Sequence, residues 1–566
     1  MGEQSGLMGI VEERDVEVPM RDGVILRGNL YRPQGAAKVP ALLMRTPYGK
    51  GDRRFDRYLR AGYAVMCQDT RGRYASDGEF VLFSEDETPD GQDGYDTIEW
   101  LADQPWCNGI VGTFGASYNA WMQWEAAAEQ PPSLRAMCAY TIPLELTSVD
   151  WWGAFRPGRR VKWWLTTVAP DLRKRAGLGP PHTPAEASKL FEEVEQNLWL
   201  GYLPWKDLPR HMPEPLATYA RNWLDDPARP RWRFGEKHAR VQVPNLDFSG
   251  YFDHCNDTIW HLPGMQRNAA TELAREQSKL ILGPYNHGGF GQRKFGDIDF
   301  GAAAEFDITD IIIRWFDHWL KGIDNGVDRE PPLRYMVMGS GEWKSAETWP
   351  PPGTTPTEYF LHSDGTANPV DECGALSREE PADEPADEYT YDPRDPTPTL
   401  WTVKLFTLPS DRQRLEYRDD ILYYCTEPLA EEVEIVGHPE VVLYASSSAP
   451  DTDFFARLVD EDPDGMALEI CYGMVRVRHR NSWAEEELVE PGEVVELRIN
   501  LGPTACRFRE GHRIRLEICS ADFPNHDRNH NTGGDDLAEM EMIPAQQMVL
   551  HSCEHPSRLI LPICGD

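Results

Sequence analysis

One short segment constrains this chain more than any other. Ile110-Val111-Gly112-Thr113-Phe114 reads as a buried strand. It runs without a break into Gly115-Ala116-Ser117 and then into the helix-forming stretch that starts at Tyr118-Asn119-Ala120. A strand that turns this sharply into a helix needs small residues at the turn. It leaves the serine at a helix N-terminus, where free N–H groups and the helix dipole favour a developing negative charge. The Gly-x-Ser spacing alone is common by chance. The strand before it and the helix after it are what nominate Ser117 as a nucleophile. Position 119 is Asn where the nucleophile-elbow pattern has Gly, and Asn tolerates unusual backbone angles better than most residues.

The surroundings fit such a joint. Residues 15–145 alternate short apolar runs, such as Ala41-Leu42-Leu43-Met44 and Tyr63-Ala64-Val65-Met66, with helical patterns over Asp52–Arg60 and Tyr95–Ala102. That alternation predicts an α/β domain with a buried parallel sheet. Residues 146–240 are rich in Trp, Arg, Leu and Pro at helical spacing and read as a helical insertion. The α/β texture returns over 241–350, with strands at Pro244–Ser249 and Lys279–Leu282 and a helix over Ile308–Leu320. Residues 345–400 are rich in Pro, Thr, Asp and Glu, a linker and surface-loop composition. From 351 to 566 the later part carries short alternating strands and predicts a β sandwich or jelly roll.

A serine nucleophile needs a base, and the base needs an acid to orient it. In a sheet of this kind they follow in the order Ser, Asp or Glu, His, each just past a strand. The strand ending at Ser249 leads into Gly250-Tyr251-Phe252-Asp253, and the strand ending at Leu282 leads into Gly283-Pro284-Tyr285-Asn286-His287. Asp253 and His287 are the candidates; Asp257 and His254 are the alternatives. The Tyr118 amide is the first oxyanion donor. The loop Arg45–Lys50 lacks the glycine run that supplies the second donor elsewhere, so the Tyr48 hydroxyl takes that place. Trp151, Trp152, Trp164 and Phe252 are candidate pocket walls, with core packing as the alternative for each.

Composition excludes several functions. A formal charge of −36 repels phosphate backbones and anionic lipid, so neither nucleic acid nor membrane is an expected partner. The opening residues show no basic and apolar signal sequence, and residue six is Gly where a myristoylation motif needs Ser or Thr. Eleven cysteines without a CxxC pair predict reduced thiols in a cytoplasmic protein. Asp460–Gly465 resembles the start of a calcium loop but has Cys471 where a bidentate Glu belongs, so a β-turn is expected. His526 and His530 lie four apart in loop composition, and no metal is expected there. No nucleotide fingerprint occurs and no cofactor is implied.

Taken together, Arg45-Thr46-Pro47-Tyr48, Asp69-Thr70-Arg71-Gly72 with Ser76-Asp77-Gly78, Gly115–Tyr118, Tyr251-Phe252-Asp253, Gly283–His287, and Phe523-Pro524-Asn525 with Arg528-Asn529 and Asn531-Thr532-Gly533 span the chain from Arg45 to Gly533. In this set the chain resembles the cocaine-esterase-like (CocE/NonD) branch of serine hydrolases, related to Xaa-Pro dipeptidyl-peptidases and α-amino acid ester hydrolases. The resemblance implies an α/β-hydrolase core (residues 1–145 and 241–350), a helical cap inserted after the sixth strand (146–240) and a C-terminal jelly roll (351–566). It implies the triad Ser117–Asp253–His287 with Tyr48 and Tyr118 as oxyanion donors. The expected reaction is hydrolysis of a small-molecule carboxylic ester through an acyl-enzyme. An amidase or Xaa-Pro dipeptidyl-peptidase-like activity is the second reading, and a non-catalytic ligand binder the third. The oligomeric state, homo-oligomer or monomer, stays open. The ester hydrolases of α-amino acids carry a carboxylate cluster partly just after the triad Asp. Asp253-His254-Cys255-Asn256 lacks that acidic pair, which argues against a β-lactam-acylating activity. Glu145 is the one candidate clamp for a free amine, against an exposed helix carboxylate.

Overall fold

The computed structural model describes residues 9–35, 37–83, 89–368, 370–400 and 409–565. The first eight residues, on which the reading of the N-terminus partly rests, lie outside them. Strands β1 (Ile10–Pro19) and β2 (Ile25–Pro33) form the hairpin announced by Asp22-Gly23. Then follow β3 (Val39–Thr46), α1 (Asp56–Arg60), β4 (Ala64–Asp69), α2 (Asp90–Ala102), β5 (Cys107–Ala116), α3 (Tyr118–Ala128) and β6 (Leu134–Tyr140). They pair in the order β1-β2-β4-β3-β5-β6, parallel from β4 onward. β4 is buried along its whole length, as a parallel strand covered on both faces must be.

After a long helical segment the chain forms a second, four-stranded sheet beside the first. β7 (Leu246–Gly250) and β8 (Lys279–Gly283) run parallel, and Leu333–Val337 and Glu342–Ala346 extend the row. Asn245 joins the two halves. Its side chain accepts from Ala139 N at 2.8 Å and donates to Ala139 O at 2.9 Å, beside a parallel bridge from Met137 to Asn245. The two sheets therefore meet with β5, β6, β7 and β8 running parallel side by side, and the C-terminal ends of these strands face the same way. In open α/β sheets that end is where ligands bind.

Residues 141–245 contain helices and no strand, as expected for 146–240. Their core is aromatic. Phe155 lies 5.2 Å from both Trp205 and Trp223, and Trp164 lies 6.1 Å from Trp223, ring to ring.

The strands from Thr354 onward pair antiparallel, except Gly374–Ser377 with Leu422–Cys425. The linker reading of 345–400 is corrected here. Thr354–His362, Gly374–Ser377 and Asp387–Tyr391 are strands of that sheet. In Asp387–Tyr391 the residues Asp387, Tyr389 and Tyr391 point inward while Glu388 and Thr390 face solvent, so half the polar composition is the wet face of a strand. The inward Asp387 is held by the Tyr424 hydroxyl at 2.7 Å and His551 at 2.9 Å. Asp460–Gly465 closes the strand Asp453–Glu461 and turns into the strand Ala467–Arg476. No helix among the described residues is long and apolar enough to cross a membrane.

Candidate active site

Ser117 sits between β5 and α3 with φ 59° and ψ −126°. A side chain at positive φ is strained, and the surroundings hold it there. Ser117 N donates to Tyr140 O at 3.0 Å and Thr141 Oγ1 at 3.1 Å, while Ala120 N and Trp121 N close the first helical turn on Ser117 O. Gly115 has φ 140°, and a Cβ there would lie 2.8 Å from Cβ of Asn119. Gly115 is therefore obligatory while Asn119 is not a problem. Asn119 lies inside α3 without positive φ, and Gln123 Nε2 ties Gly115 O and Asn119 O together at 3.0 and 3.1 Å.

Asp253 and His287 stand on the loops after β7 and β8. Those loops are zipped together: Tyr251 N donates to Gly283 O at 2.9 Å and Phe252 N to Tyr285 O at 3.2 Å. The approach is so close that a Cβ on Gly250 would meet Tyr285 O at 1.9 Å. The result is a 2.9 Å hydrogen bond from His287 Nδ1 to Asp253 Oδ1. The Asp253 side chain is fully buried, His287 is 17% exposed, and Cys255 N also donates to Asp253 Oδ1 at 2.9 Å.

The alternatives fall elsewhere. The His254 ring packs 4.2 Å from that of His287, with its Nδ1 3.5 Å from Asp253 Oδ1. Burial, together with Arg159, His287, Arg156 and Arg160, pushes His254 well below the usual histidine range, so it stays neutral. Asp257 is held up by burial and is engaged by Ser148 and Trp260.

Tyr48 follows β3, and its hydroxyl hydrogen-bonds Ser117 and Trp163. Burial raises the phenol above its ordinary value, while those bonds and the nearby Arg159 and Arg160 pull it down. Its loop is anchored from below. Lys50 contacts Asp69 twice, through N at 2.6 Å and Nζ at 2.7 Å, and Arg73 Nε donates to Pro47 O at 3.0 Å. This gives the segment Asp69–Ser76 a structural task that its residue types alone did not disclose. The Tyr118 amide is the first of α3, among those a helix leaves without an internal acceptor. The Tyr118 ring stacks on Phe83 at 4.2 Å, and its hydroxyl accepts from Phe83 N at 2.8 Å.

Of the candidate pocket walls, Trp152 and Phe252 line one small cavity together with Arg156, Asp253, His254 and Tyr472. Trp151 and Trp164 are placed differently. Trp151 is buried against His479 and donates to Trp483 O at 3.2 Å. Trp164 is wholly buried in the aromatic core of the helical segment. Glu145 is half-buried and accepts from Arg231 N at 3.2 Å.

The late motif Phe523–Asn531 also has its place. Arg156 Nη2 donates to Asn525 Oδ1 at 3.0 Å, Gly158 N to Pro524 O at 2.7 Å, and Trp205 Nε1 to Asp527 Oδ2 at 2.7 Å. It clamps the helical segment to the C-terminal strands. His526 belongs to this packing, against Trp152 and Phe455, and His530 is buried beside Asp536 and Glu539.

Comparison with known proteins agrees with this architecture. The family model of the X-Pro dipeptidyl-peptidase (S15 family) matches residues 22–289, and that of the X-Pro dipeptidyl-peptidase C-terminal non-catalytic domain matches residues 325–560. The cocaine esterase of Rhodococcus sp. (strain MB1 Bresler) is 34% identical over 97% of this chain and 98% of its own length. Two solved structures share the fold at 24% identity each. One is an aminopeptidase from a marine sediment archaeon, Thaumarchaeota archaeon, with a TM-score of 0.82, covering 100% of this chain and 98% of that one. The other is an α-amino acid ester hydrolase with a TM-score of 0.77 and the same coverage. The chain belongs to the cocaine-esterase-like branch of the serine hydrolases, allied to the X-Pro dipeptidyl-peptidases, and is a hydrolase of the serine-esterase type.

Proposed function

We propose that the protein hydrolyses a carboxylic ester of a small molecule through an acyl-enzyme on Ser117, with His287 as general base and Asp253 as its orienting acid. His287 Nε2 takes the Ser117 proton as Oγ attacks the carbonyl carbon. Asp253, buried and bonded to Nδ1, fixes the tautomer and stabilises the imidazolium. The Tyr48 hydroxyl and the Tyr118 amide receive the oxyanion. His287 then protonates the leaving alcohol, and water repeats the cycle on the acyl-enzyme.

The observation that carries this reading is the His287–Asp253 hydrogen bond, at the sheet edge where the strained Ser117 turn also ends and Tyr48 reaches the serine. In the same reading residues 146–240 are a cap over that edge, 351–566 are a jelly-roll domain, and 1–145 with 241–350 are the hydrolase core. Trp152 and Phe252 are pocket walls, and Trp151 and Trp164 hold the cap together. An ester is favoured over a substrate with a free amine because a relative that matches along nearly the whole chain is a cocaine esterase. The test compares p-nitrophenyl esters with Xaa-Pro p-nitroanilides. Ester turnover that greatly exceeds anilide turnover, with both lost in Ser117→Ala, is the expected result. The reverse ranking assigns the site to peptidase chemistry.

A further inference from the structure

His530 is fully buried, yet neither of its ring nitrogens has a hydrogen-bond partner among the described residues. A neutral imidazole carries one N–H and one lone pair, and leaving both unmet in the interior is costly. The ring is aimed at two carboxylates. Its Nδ1 lies 3.8 Å from Glu539 Oε1 and 4.0 Å from Asp536 Oδ1. Those distances are too long for hydrogen bonds. They suit a group that shares an ion: one donor atom from each of the three residues lies within 4.8 Å of the others. His526, four positions earlier, is not part of the group and packs against Trp152 and Phe455.

The surroundings hold both carboxylates in place. Arg476 Nη1 donates to Asp536 Oδ2 at 2.8 Å and His530 N to Asp536 Oδ1 at 3.2 Å, while the Thr532 hydroxyl donates to Glu539 Oε1. Such supporting bonds orient the ligands of a metal. The arginines nearby do not cancel the acids. Arg476 also pairs with Asp453 through hydrogen bonds of 2.8 and 2.9 Å, and Arg478 Nε donates to Asp451 Oδ2 at 2.6 Å. The Glu539 side chain is 26% exposed, which gives a small ion a way in. One imidazole nitrogen with two carboxylate oxygens is a donor set for a divalent transition-metal ion, and zinc accepts all three. With bonds of about 2.1 Å, donor atoms around tetrahedral zinc stand about 3.4 Å apart. The spacings from His530 need to close by only about half an ångström to meet that value.

We propose that His530, Asp536 and Glu539 form a binding site for one zinc-type divalent ion in the C-terminal region. The ion gives the buried Nδ1 its partner and staples the loop from Asn529 to Glu539. That loop follows directly on Asn525 and Asp527, which clamp the helical segment. The role is structural and independent of the chemistry at Ser117.

The test titrates zinc ions into the full-length chain after a chelator has stripped it of metal, and reads binding by calorimetry and the thermal midpoint. One ion bound at this site per chain, with a rise in the midpoint, is expected. Glu539→Gln keeps the shape of a partly exposed side chain and removes its charge. It and His530→Gln should each lower the affinity by at least about tenfold. His287→Ala should keep the ion, which separates this site from Asp253, His254, Cys255 and His287, where donor atoms also gather. If His530→Gln does not fold, Glu539→Gln decides by itself. The proposal is overturned if the folded native chain binds no zinc, if binding is unchanged in Glu539→Gln, or if it is lost in His287→Ala alone.

Discussion

At the scale of single residues, the site is held by backbone as much as by side chains. Ser117 keeps its positive φ because Tyr140 O and Thr141 Oγ1 hold its amide and Gly115 leaves room for Asn119. The serine was legible because a strand, a tight turn and a helix follow one another in eleven residues. Tyr48 was legible by default, since its loop has no glycine run to offer backbone donors. Tyr48→Phe removes the hydroxyl proposed as an oxyanion donor and leaves the rest of the turn in place. It is expected to lower kcat by about 10²–10³ with little change in thermal midpoint. A kcat within a few-fold of wild type would assign the oxyanion to other donors.

Between elements, buried polar contacts fix how the pieces sit. His261 Nε2 donates to Ile142 O at 2.8 Å, so its Nδ1 is the acceptor for His238 Nε2 at 2.9 Å. The His261 ring stacks on Trp124 of α3 at 4.1 Å, which ties α3 to the segments on either side of β7. Burial disfavours the charged form of both rings. It holds His238 down to about 4 and pushes His261 well below the usual histidine range. The unfolded chain takes up a proton near pH 6.5 that folded His238 refuses until about pH 4. Stability is therefore lost as pH falls through that window, by about 2 kcal/mol for His238 between pH 7.5 and 5. Urea melts at the two pH values check this: His238→Gln should lose less on acidification than wild type, and parallel losses would contradict it. This pair was not legible beforehand, because two histidines 23 positions apart meet only once β7 and the helix after it are placed. The linker reading of 345–400 failed for a related reason. Composition averages both faces of a strand, and at Asp387–Tyr391 only the inner face is core.

For the whole molecule, the order of elements was more legible than their joints. The α/β alternation, the helical segment and the later strands could each be read from local pattern. The clamp from Asn525 and Asp527 to Arg156 and Trp205 spans more than 300 positions, and no local pattern contains it. The same holds for the central claim. Ser117, Asp253 and His287 come from three separate strand ends, on two sheets that the Met137–Asn245 bridge sets edge to edge. The most direct measurement is covalent labelling of the intact protein with a fluorophosphonate, followed by peptide mass analysis. The account predicts a single adduct on Ser117, absent in Ser117→Ala and formed far more slowly in His287→Ala. A folded wild-type protein that takes up no label, or takes it up on another residue, would contradict it.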